Sequence, residues 1–143
     1  MKILELIGAC RYGIHDISMQ SLDASTGLPR FNMPFELGLF LGCRHFSSHS
    51  EQNSKDFLVL DSEARRFHKA LSDFSGYDVV CHNGSPGQVI QLVRDWLANS
   101  LGKTMYGASK LQTEFLEFEL QMSAMAEEFA PPLIRSASPT SAT

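Results

Sequence analysis

Short apolar segments alternate with amphipathic segments along most of this chain, and that order is what most limits the folds it can adopt. The run Asp56-Phe-Leu-Val-Leu-Asp61 is apolar between polar ends, as expected for a strand buried in a parallel sheet. Further strands are predicted at 12–17 and 78–82, and helices at 2–9, from 32 to about 42, 62–74 and from 86. The segments 19–30 and 43–55 are predicted loops. This alternation predicts right-handed βαβ units, and therefore an α/β fold with a parallel sheet between helices.

Both ends of the chain depart from that alternation. It opens with a helix, whereas a doubly wound domain opens with a strand, so either the sheet is smaller or an initial strand is absent. The α/β domain is expected at 1–102, a C-terminal helical segment at 103–130, and a disordered tail at 131–143. An apolar stripe runs along the helix predicted at 109–129: Leu111, Phe115, Phe118, Met122, Met125 and Phe129. It favours packing on the domain, and a homodimer through 109–129 is the alternative.

Composition narrows the classes of function. The formal net charge is −4 and no basic stripe is visible, which argues against a nucleic-acid partner. Cys10, Cys43 and Cys81 lack Cys-x-x-Cys spacing, so neither a disulfide framework nor a zinc site is indicated. Reduced thiols, the lack of a signal-peptide layout and the lack of a membrane-spanning run predict a cytoplasmic protein. We expect no metal and no resident cofactor.

One carboxylate lies in a segment that is otherwise apolar on every side, residues 32–42. Asn32 is a predicted N-cap and Pro34 fits a first helical turn, so the segment is predicted to be a helix enclosed by protein. Glu36 is its only ionisable side chain, and desolvating an unpaired glutamate costs several kcal/mol. Either Glu36 is functional, or it is stabilised by the helix N-terminus or by an arginine, Arg30 or Arg44.

Polar residues also follow each predicted strand. Ligands of open α/β sheets bind outside the carboxyl ends of the strands. Residues at that predicted edge are Asp16, Ser18, Asp61 and His82. Asp16 and Glu36 would face one cleft there, and a carboxylate can stabilise or capture the oxocarbenium-like sugar formed when an N-glycosidic bond breaks.

These residues carry a family resemblance. Cys10-Arg-Tyr-Gly-Ile-His-Asp-Ile-Ser18, followed by Arg30-Phe-Asn-Met-Pro-Phe-Glu-Leu-Gly38, resembles the bacterial TIR-like and nucleoside 2-deoxyribosyltransferase-like proteins. Their recurrent pattern is a strand ending in Asp-Leu-Thr or Asp-Ile-Ser, then Asn-x-x-Phe/Tyr-Glu-Leu-Gly. The resemblance implies a flavodoxin or Rossmann-like three-layer sandwich. Relatives also have an N-terminal strand and loop that this chain lacks.

The resemblance implies roles for particular residues. Glu36 and Asp16 would be the catalytic residues, with Glu36 acting at the anomeric carbon and Asp16 orienting the sugar hydroxyls. The expected substrate-binding residues are Ser18, Arg30, Asn32 and Asp61. The activity implied is that of an NAD nucleosidase or a nucleoside deoxyribosyltransferase, with NAD or a nucleoside as substrate. The alternatives are a non-catalytic module that senses a nucleotide or binds a protein, and an inactive truncated relative.

Overall fold

The computed structural model describes residues 2–19, 22–69, 71–74 and 76–129. Their three strands form a parallel sheet in the order β1-β2-β3. The strands are β1 (Tyr12–Asp16), β2 (Asp56–Asp61) and β3 (Val79–Cys81). The prediction of a mixed α/β chain with a parallel sheet is therefore confirmed.

Five α-helices accompany the sheet in the described residues. They are α1 (Lys2–Ala9), α2 (Asn32–Phe46), α3 (Ser50–Asn53), α4 (Pro86–Leu101) and α5 (Ala108–Glu128). The start of α4 is as predicted, because the Gln88 N–H donates to the Ser85 hydroxyl at 3.3 Å and Pro86 follows it. Gly102 ends α4 with a φ of 60°, a left-handed conformation that glycine adopts without strain.

Two sequence predictions of local structure are wrong. The segment 62–74 is not one helix but two 3₁₀ turns, Arg66–Lys69 and Ser72–Phe74. Arg65 has a φ of 62°, which interrupts any right-handed helix at that point. The predicted loop 43–55 is partly helical, because α2 continues to Phe46 and α3 follows it.

The two long helices of the α/β region lie on opposite faces of the sheet. Neighbouring residues of a strand point to opposite faces. The Tyr12 ring meets Trp96 of α4 edge-on, with ring centroids 6.0 Å apart, whereas His15 meets Phe40 of α2 at 5.4 Å. Gly13 lets α2 come close, since a Cβ there would lie 3.0 Å from the Phe40 ring. The sheet is therefore sandwiched between α2 and α4.

The hydrophobic core lies on the α2 face. Its buried members are Ile17, Leu37, Val59, Phe67 and Phe74. On the other face Leu58 and Leu60 are buried, but Ile14 is 43% exposed and α4 has no buried residue. Burial of the apolar cluster on the α2 face therefore stabilises the packing of α2 on β1 and β2.

The helix α2 is not enclosed by protein, contrary to the sequence prediction. Only Leu37 and Phe40 of this helix are buried, whereas Phe35 is 58% exposed and Phe46 is 89% exposed. Apolar residues all round a helix predict enclosure only if neighbouring elements cover every side. In this structure the sheet covers one side.

A buried lysine fixes the end of α1. Lys55 is 3% exposed, and its ammonium group donates to the carbonyl oxygens of Ile7, at 2.7 Å, and of Cys10. The last carbonyls of a helix lack intrahelical donors and carry the negative end of its dipole. Lys55 therefore satisfies them and holds α1 at the start of β2.

The described residues divide into two compact units, the first ending at Ala108 and the second starting at Ser109. The second unit is α5, which confirms the helix predicted at 109–129. Along it Phe118 is 55% exposed and Leu120 is 73% exposed. Packing of α5 on the domain or on a second copy stays a prediction, and the predicted disordered tail 131–143 lies outside the described residues. None of the described helices combines the length and apolarity needed to cross a bilayer.

Candidate functional site

A cavity of about 240 Å³ lies where β1 ends and α2 begins. The predicted site residues in its wall are Asp16, Arg30, Asn32 and Glu36, and the other lining residues are Ile17, Met19, Met33 and Pro34. The last residue of a strand and the first turn of the following helix thus share one wall. Two further predicted site residues, Ser18 and Asp61, are not in that wall.

Asp16 is partly engaged by its own backbone. Its Oδ1 accepts the Ser18 N–H at 2.9 Å, while its side chain stays 43% exposed. The Ile17 N–H donates to the Leu60 carbonyl at 2.9 Å, which continues the pairing of β1 with β2 past Asp16. The Asp16 Oδ2 makes no hydrogen bond within the described residues. One oxygen of Asp16 is therefore committed to the loop and the other is available.

Asp61 does not lie at an open rim, which corrects the sequence expectation. It is 0% exposed, and its Oδ1 accepts the Ser62 N–H at 2.7 Å and the Arg66 Nη2 at 2.5 Å. The same Arg66 nitrogen donates to the Ser18 carbonyl at 2.6 Å. A buried carboxylate is tolerated when a cation and hydrogen bonds compensate its desolvation. Asp61 and Arg66 together anchor the loop after β1.

Glu36 is half-buried rather than fully buried. Across the described ranges its carboxylate has neither a salt bridge nor a hydrogen bond. The alternative of an ion pair with Arg44 is wrong, because that guanidinium lies over the Phe57 ring at 5.4 Å. Arg30 lines the same cavity as Glu36 without forming an ion pair with it in this structure. The Glu36 carboxylate is therefore available to a ligand.

The first turn of α2 has no side-chain cap, so the prediction of Asn32 as the N-cap is wrong. Phe31 is the N-cap residue, in a right-handed conformation, and its carbonyl accepts the Phe35 N–H at 3.0 Å. Asn32 is the first helical residue and is exposed. The N–H groups of Asn32 and Met33 lack intrahelical acceptors, as at any helix start, and Pro34 has no N–H. Two N–H donors thus adjoin the cavity.

The segment that leads to Arg30 is closed by a turn. Leu22 pairs with Pro29 in an isolated antiparallel bridge, and Gly27 between them has a φ of 67°. The Ser25 hydroxyl and the N–H groups of Ser25 and Thr26 donate to Asp23 and hold the pKa of its carboxyl below the usual value. The turn is therefore organised by Asp23 immediately before the cavity wall.

Two histidines on the sheet differ in their partners. His15 is 5% exposed and neither ring nitrogen has a partner in the described chain, and burial lowers its pKa below 6.5. His82 is also buried, but its Nε2 lies 3.6 Å from the Asp16 Oδ1. The sequence placed His82 at the strand ends without giving it a role. No local signal pairs residues so far apart in the chain.

Comparison of this chain with known proteins found no relative. The chain matches no protein-family model, and neither the curated proteins nor the solved structures yield a similar protein. Within the residues described, no three His, Cys, Asp or Glu side chains are grouped as a metal site would require. The resemblance to TIR-like and deoxyribosyltransferase-like proteins stays a prediction carried by residues 10–18 and 30–38.

Proposed function

We propose that the cavity binds a nucleoside or a mononucleotide and that Glu36 acts at the carbon joining its sugar to its base. The observation that carries this proposal is the shared cavity wall of Asp16 and Glu36 at the end of β1. The resemblance of the two segments to glycosyl-transferring proteins supports the same choice of ligand. The fold that we propose is correspondingly a Rossmann-like, TIR-like sandwich.

The sugar would face the two carboxylates. Ionised carboxylates only accept hydrogen bonds, and sugar hydroxyls are good donors. The Asp16 Oδ2 and both oxygens of Glu36 have no partner in the described residues, so a ligand would not have to displace a protein donor. Asp16 would orient a hydroxyl, which leaves Glu36 for the anomeric carbon.

The other groups of the cavity suit the rest of a nucleotide. Arg30 and the free N–H groups at the start of α2 can bind a phosphate or another anionic group. Met19 and Met33 offer polarisable thioether chains against which an aromatic base can pack. A ligand with hydroxyls, an apolar ring and an anionic end would therefore find a partner for each part.

The size of the cavity favours a small ligand. At about 240 Å³ it lies below the range of roughly 300–1,000 Å³ that is usual for drug-sized molecules. A nucleoside or mononucleotide matches this better than a complete dinucleotide such as NAD, part of which would extend into solvent. We therefore favour nucleoside cleavage or transfer over NAD hydrolysis.

The proposed chemistry requires Glu36 in its carboxylate form. As the bond from the sugar to the base breaks, its electron pair leaves with the base, which takes up a proton from solvent. The Glu36 carboxylate stabilises the oxocarbenium-like sugar or bonds to its anomeric carbon. Water then releases the sugar in hydrolysis, or a second base takes it in transfer.

The proposal is tested by following base release. Purified protein is incubated with 2′-deoxynucleosides, ribonucleosides or NAD, and free base is measured by chromatography. We expect turnover of a nucleoside by wild type and by Glu5→Gln, a matched change at an exposed carboxylate of α1. Glu36→Gln should lose at least about a hundredfold in rate, as expected for a reacting group.

Two results contradict parts of this function. Equal turnover by wild type and Glu36→Gln would remove Glu36 from the reaction. Saturable nucleotide binding without base release, unchanged in Glu36→Gln, would instead support the non-catalytic module that senses a nucleotide.

A further inference from the structure

We propose that His82 is a positioning residue of the cavity, whose Nε2–H donates to Asp16 and thereby orients that carboxylate toward the ligand. The role in ligand binding rests on the proposed function. The contact itself is a property of the protein alone and can be tested without a ligand.

A backbone hydrogen bond fixes which nitrogen of His82 carries the proton. The Gly84 N–H donates to the His82 Nδ1 at 3.2 Å. A backbone N–H can only donate, so Nδ1 must be the acceptor and the proton of the neutral ring lies on Nε2. With Nδ1 as the acceptor of the Gly84 N–H, the donor that the His82 ring can offer is the N–H at Nε2.

The turn after β3 is built to make that hydrogen bond. Asn83 has a φ of 52° and Gly84 a φ of 70°, two consecutive left-handed residues. The Asn83 side chain accepts from the Cys81 thiol at 3.1 Å and donates to the Gln88 Oε1 at 3.2 Å. The Ser85 N–H closes the turn on the His82 carbonyl at 2.9 Å. Hydrogen bonds of Asn83 and Ser85 thus hold the turn on both sides of Gly84, whose N–H donates to His82.

The carboxylate that lies near the His82 Nε2 is that of Asp16. The His82 side chain is 7% exposed, and its Nε2 makes no hydrogen bond within the described chain. The Asp16 Oδ1 lies 3.6 Å away, which exceeds a hydrogen-bond length by less than an ångström. Hydrogen bonds of a site are often long without ligand and shorten when it binds. A small movement of Asp16 would complete this one.

The neighbouring carboxylate is not a competitor for His82. The His82 N–H donates to the Asp61 carbonyl at 3.0 Å, which continues the sheet, whereas the Asp61 Oδ1 is engaged by Arg66 and Ser62 and the buried Asp61 Oδ2 makes no hydrogen bond to His82 among the described residues. With Ser18 N–H and His82 Nε2–H both directed at Oδ1, Asp16 keeps its Oδ2 for the ligand.

The positioning role of His82 is tested by substitutions that keep either its hydrogen-bond donor or only the bulk of its ring. His82→Gln retains an amide donor near Nε2, His82→Phe retains the bulk only, and His49→Phe is a control at an exposed histidine. Using the nucleosides of the base-release assay, we expect His82→Phe to weaken binding about tenfold, as for loss of one hydrogen bond to a charged group. His82→Gln and His49→Phe should stay within about threefold of wild type.

Ring resonances of His82 test the contact without any ligand. Long-range ¹H–¹⁵N spectra should show the proton on Nε2, and Asp16→Asn should shift the His82 Nε2 signal whereas Asp78→Asn, at an exposed residue, should not. A proton on Nδ1, or a His82 signal unmoved by Asp16→Asn, would overturn the proposal.

The binding series has its own contradicting results. Equal weakening by His82→Gln and His82→Phe would mean that packing matters and the donor does not. Equal binding by His82→Phe and wild type would also overturn the positioning role. If wild type binds no nucleoside at all, the proposed function fails, and the ring spectra still decide whether His82 donates to Asp16.

Discussion

Asp16 and Asp61 end neighbouring strands of one sheet, yet the structure uses them in opposite ways. Asp61 is 0% exposed and paired with Arg66, whereas the Asp16 side chain is 43% exposed and lines a cavity. Both are the last residues of their strands, but Asp16 pairs with Leu60, so Asp61 lies one residue further along and its side chain points to the opposite face of the sheet. The chain that follows also differs, because Arg66 lies on a 3₁₀ turn that returns to Asp61.

The buried Asp61 also affects the conformation of Asp16. Arg66 bridges Asp61 to the Ser18 carbonyl, and the N–H of the same Ser18 donates to Asp16. Holding Ser18 therefore fixes the conformation in which Asp16 has one occupied oxygen and one available oxygen. The Asp61–Arg66 pair and the cavity-lining Asp16 form a chain of contacts across two strands.

The largest expected difference between the two carboxylates is in stability. Asp61→Asn removes the buried counter-charge of the Arg66 guanidinium, leaving only the exposed Glu63 at 3.8 Å, and should lower the free energy of unfolding by about 3 kcal/mol. Asp16→Asn should change it by no more than about 0.5 kcal/mol, as for other exposed sites. Urea unfolding followed by the fluorescence of Trp96, the single tryptophan, measures both. Equal losses would remove the distinction.

The second prediction concerns how tightly the residues of β1 that precede Asp16 are packed. In Gly13→Ala the new Cβ would lie 2.7 Å from the His15 Nε2 and 3.0 Å from the Phe40 ring, so a loss of about 2 kcal/mol is expected. Gly38→Ala on α2 meets nothing within 4 Å and should gain about 0.5–1 kcal/mol from helix propensity. Thermal unfolding of the pair gives the answer. A Gly13→Ala protein as stable as wild type would show that the β1 face is loosely packed.

A third, smaller effect concerns the turn that holds His82 beside Asp16. Gly84→Ala places a side chain at a φ of 70°, and should cost about 1 kcal/mol although no atom lies within 4 Å of the new Cβ. Gly76→Ala has equal space and no left-handed φ, and serves as the matched control. Denaturant midpoints compare the two. No difference between them would mean that the turn conformation adds nothing to stability.

The pH dependence of stability compares a buried histidine with an exposed one. The ring nitrogens of His15 have no hydrogen-bond partner in the described residues, and burial lowers its folded-state pKa below 6.5, so below that pH the unfolded chain binds a proton that the folded chain does not. Stability should therefore fall as pH drops through 6.5 toward the lower folded pKa. His15→Leu should reduce this fall between about pH 7.5 and about pH 5, and the exposed His49→Leu should not. Unchanged slopes in His15→Leu would contradict the assignment.

Local patterns predicted the elements better than their burial. The strand 56–61 and the Ser85-Pro86 helix start depend on neighbouring residues, and both were predicted correctly. The enclosure of α2 was not, because apolar side chains do not reveal which sides other elements will cover. The prediction of a helix at 62–74 was wrong. Helix propensity does not take account of the ion pair between Arg66 and Asp61, which favours a different conformation of this segment.

The sequence likewise predicted one part of the candidate site and missed another. Asp16, Arg30, Asn32 and Glu36 follow one strand and open one helix, so chain order alone brings them to the same wall. The burial of Asp61 and the approach of His82 to Asp16 depend on contacts between separate strands. Pattern reasoning on one sequence does not specify such contacts.

The most direct test of the central claim locates the ligand on the protein. Amide ¹H–¹⁵N spectra are recorded while 2′-deoxyadenosine is added to wild type and to Glu36→Gln. We predict saturable shifts at residues 16–19 and 30–36 of both proteins, because Glu36 acts on the reacting carbon and not mainly on the bound ground state. Absence of shifts, or shifts confined to the separate cavity lined by residues 8–11, 51, 52, 54 and 55, would contradict it.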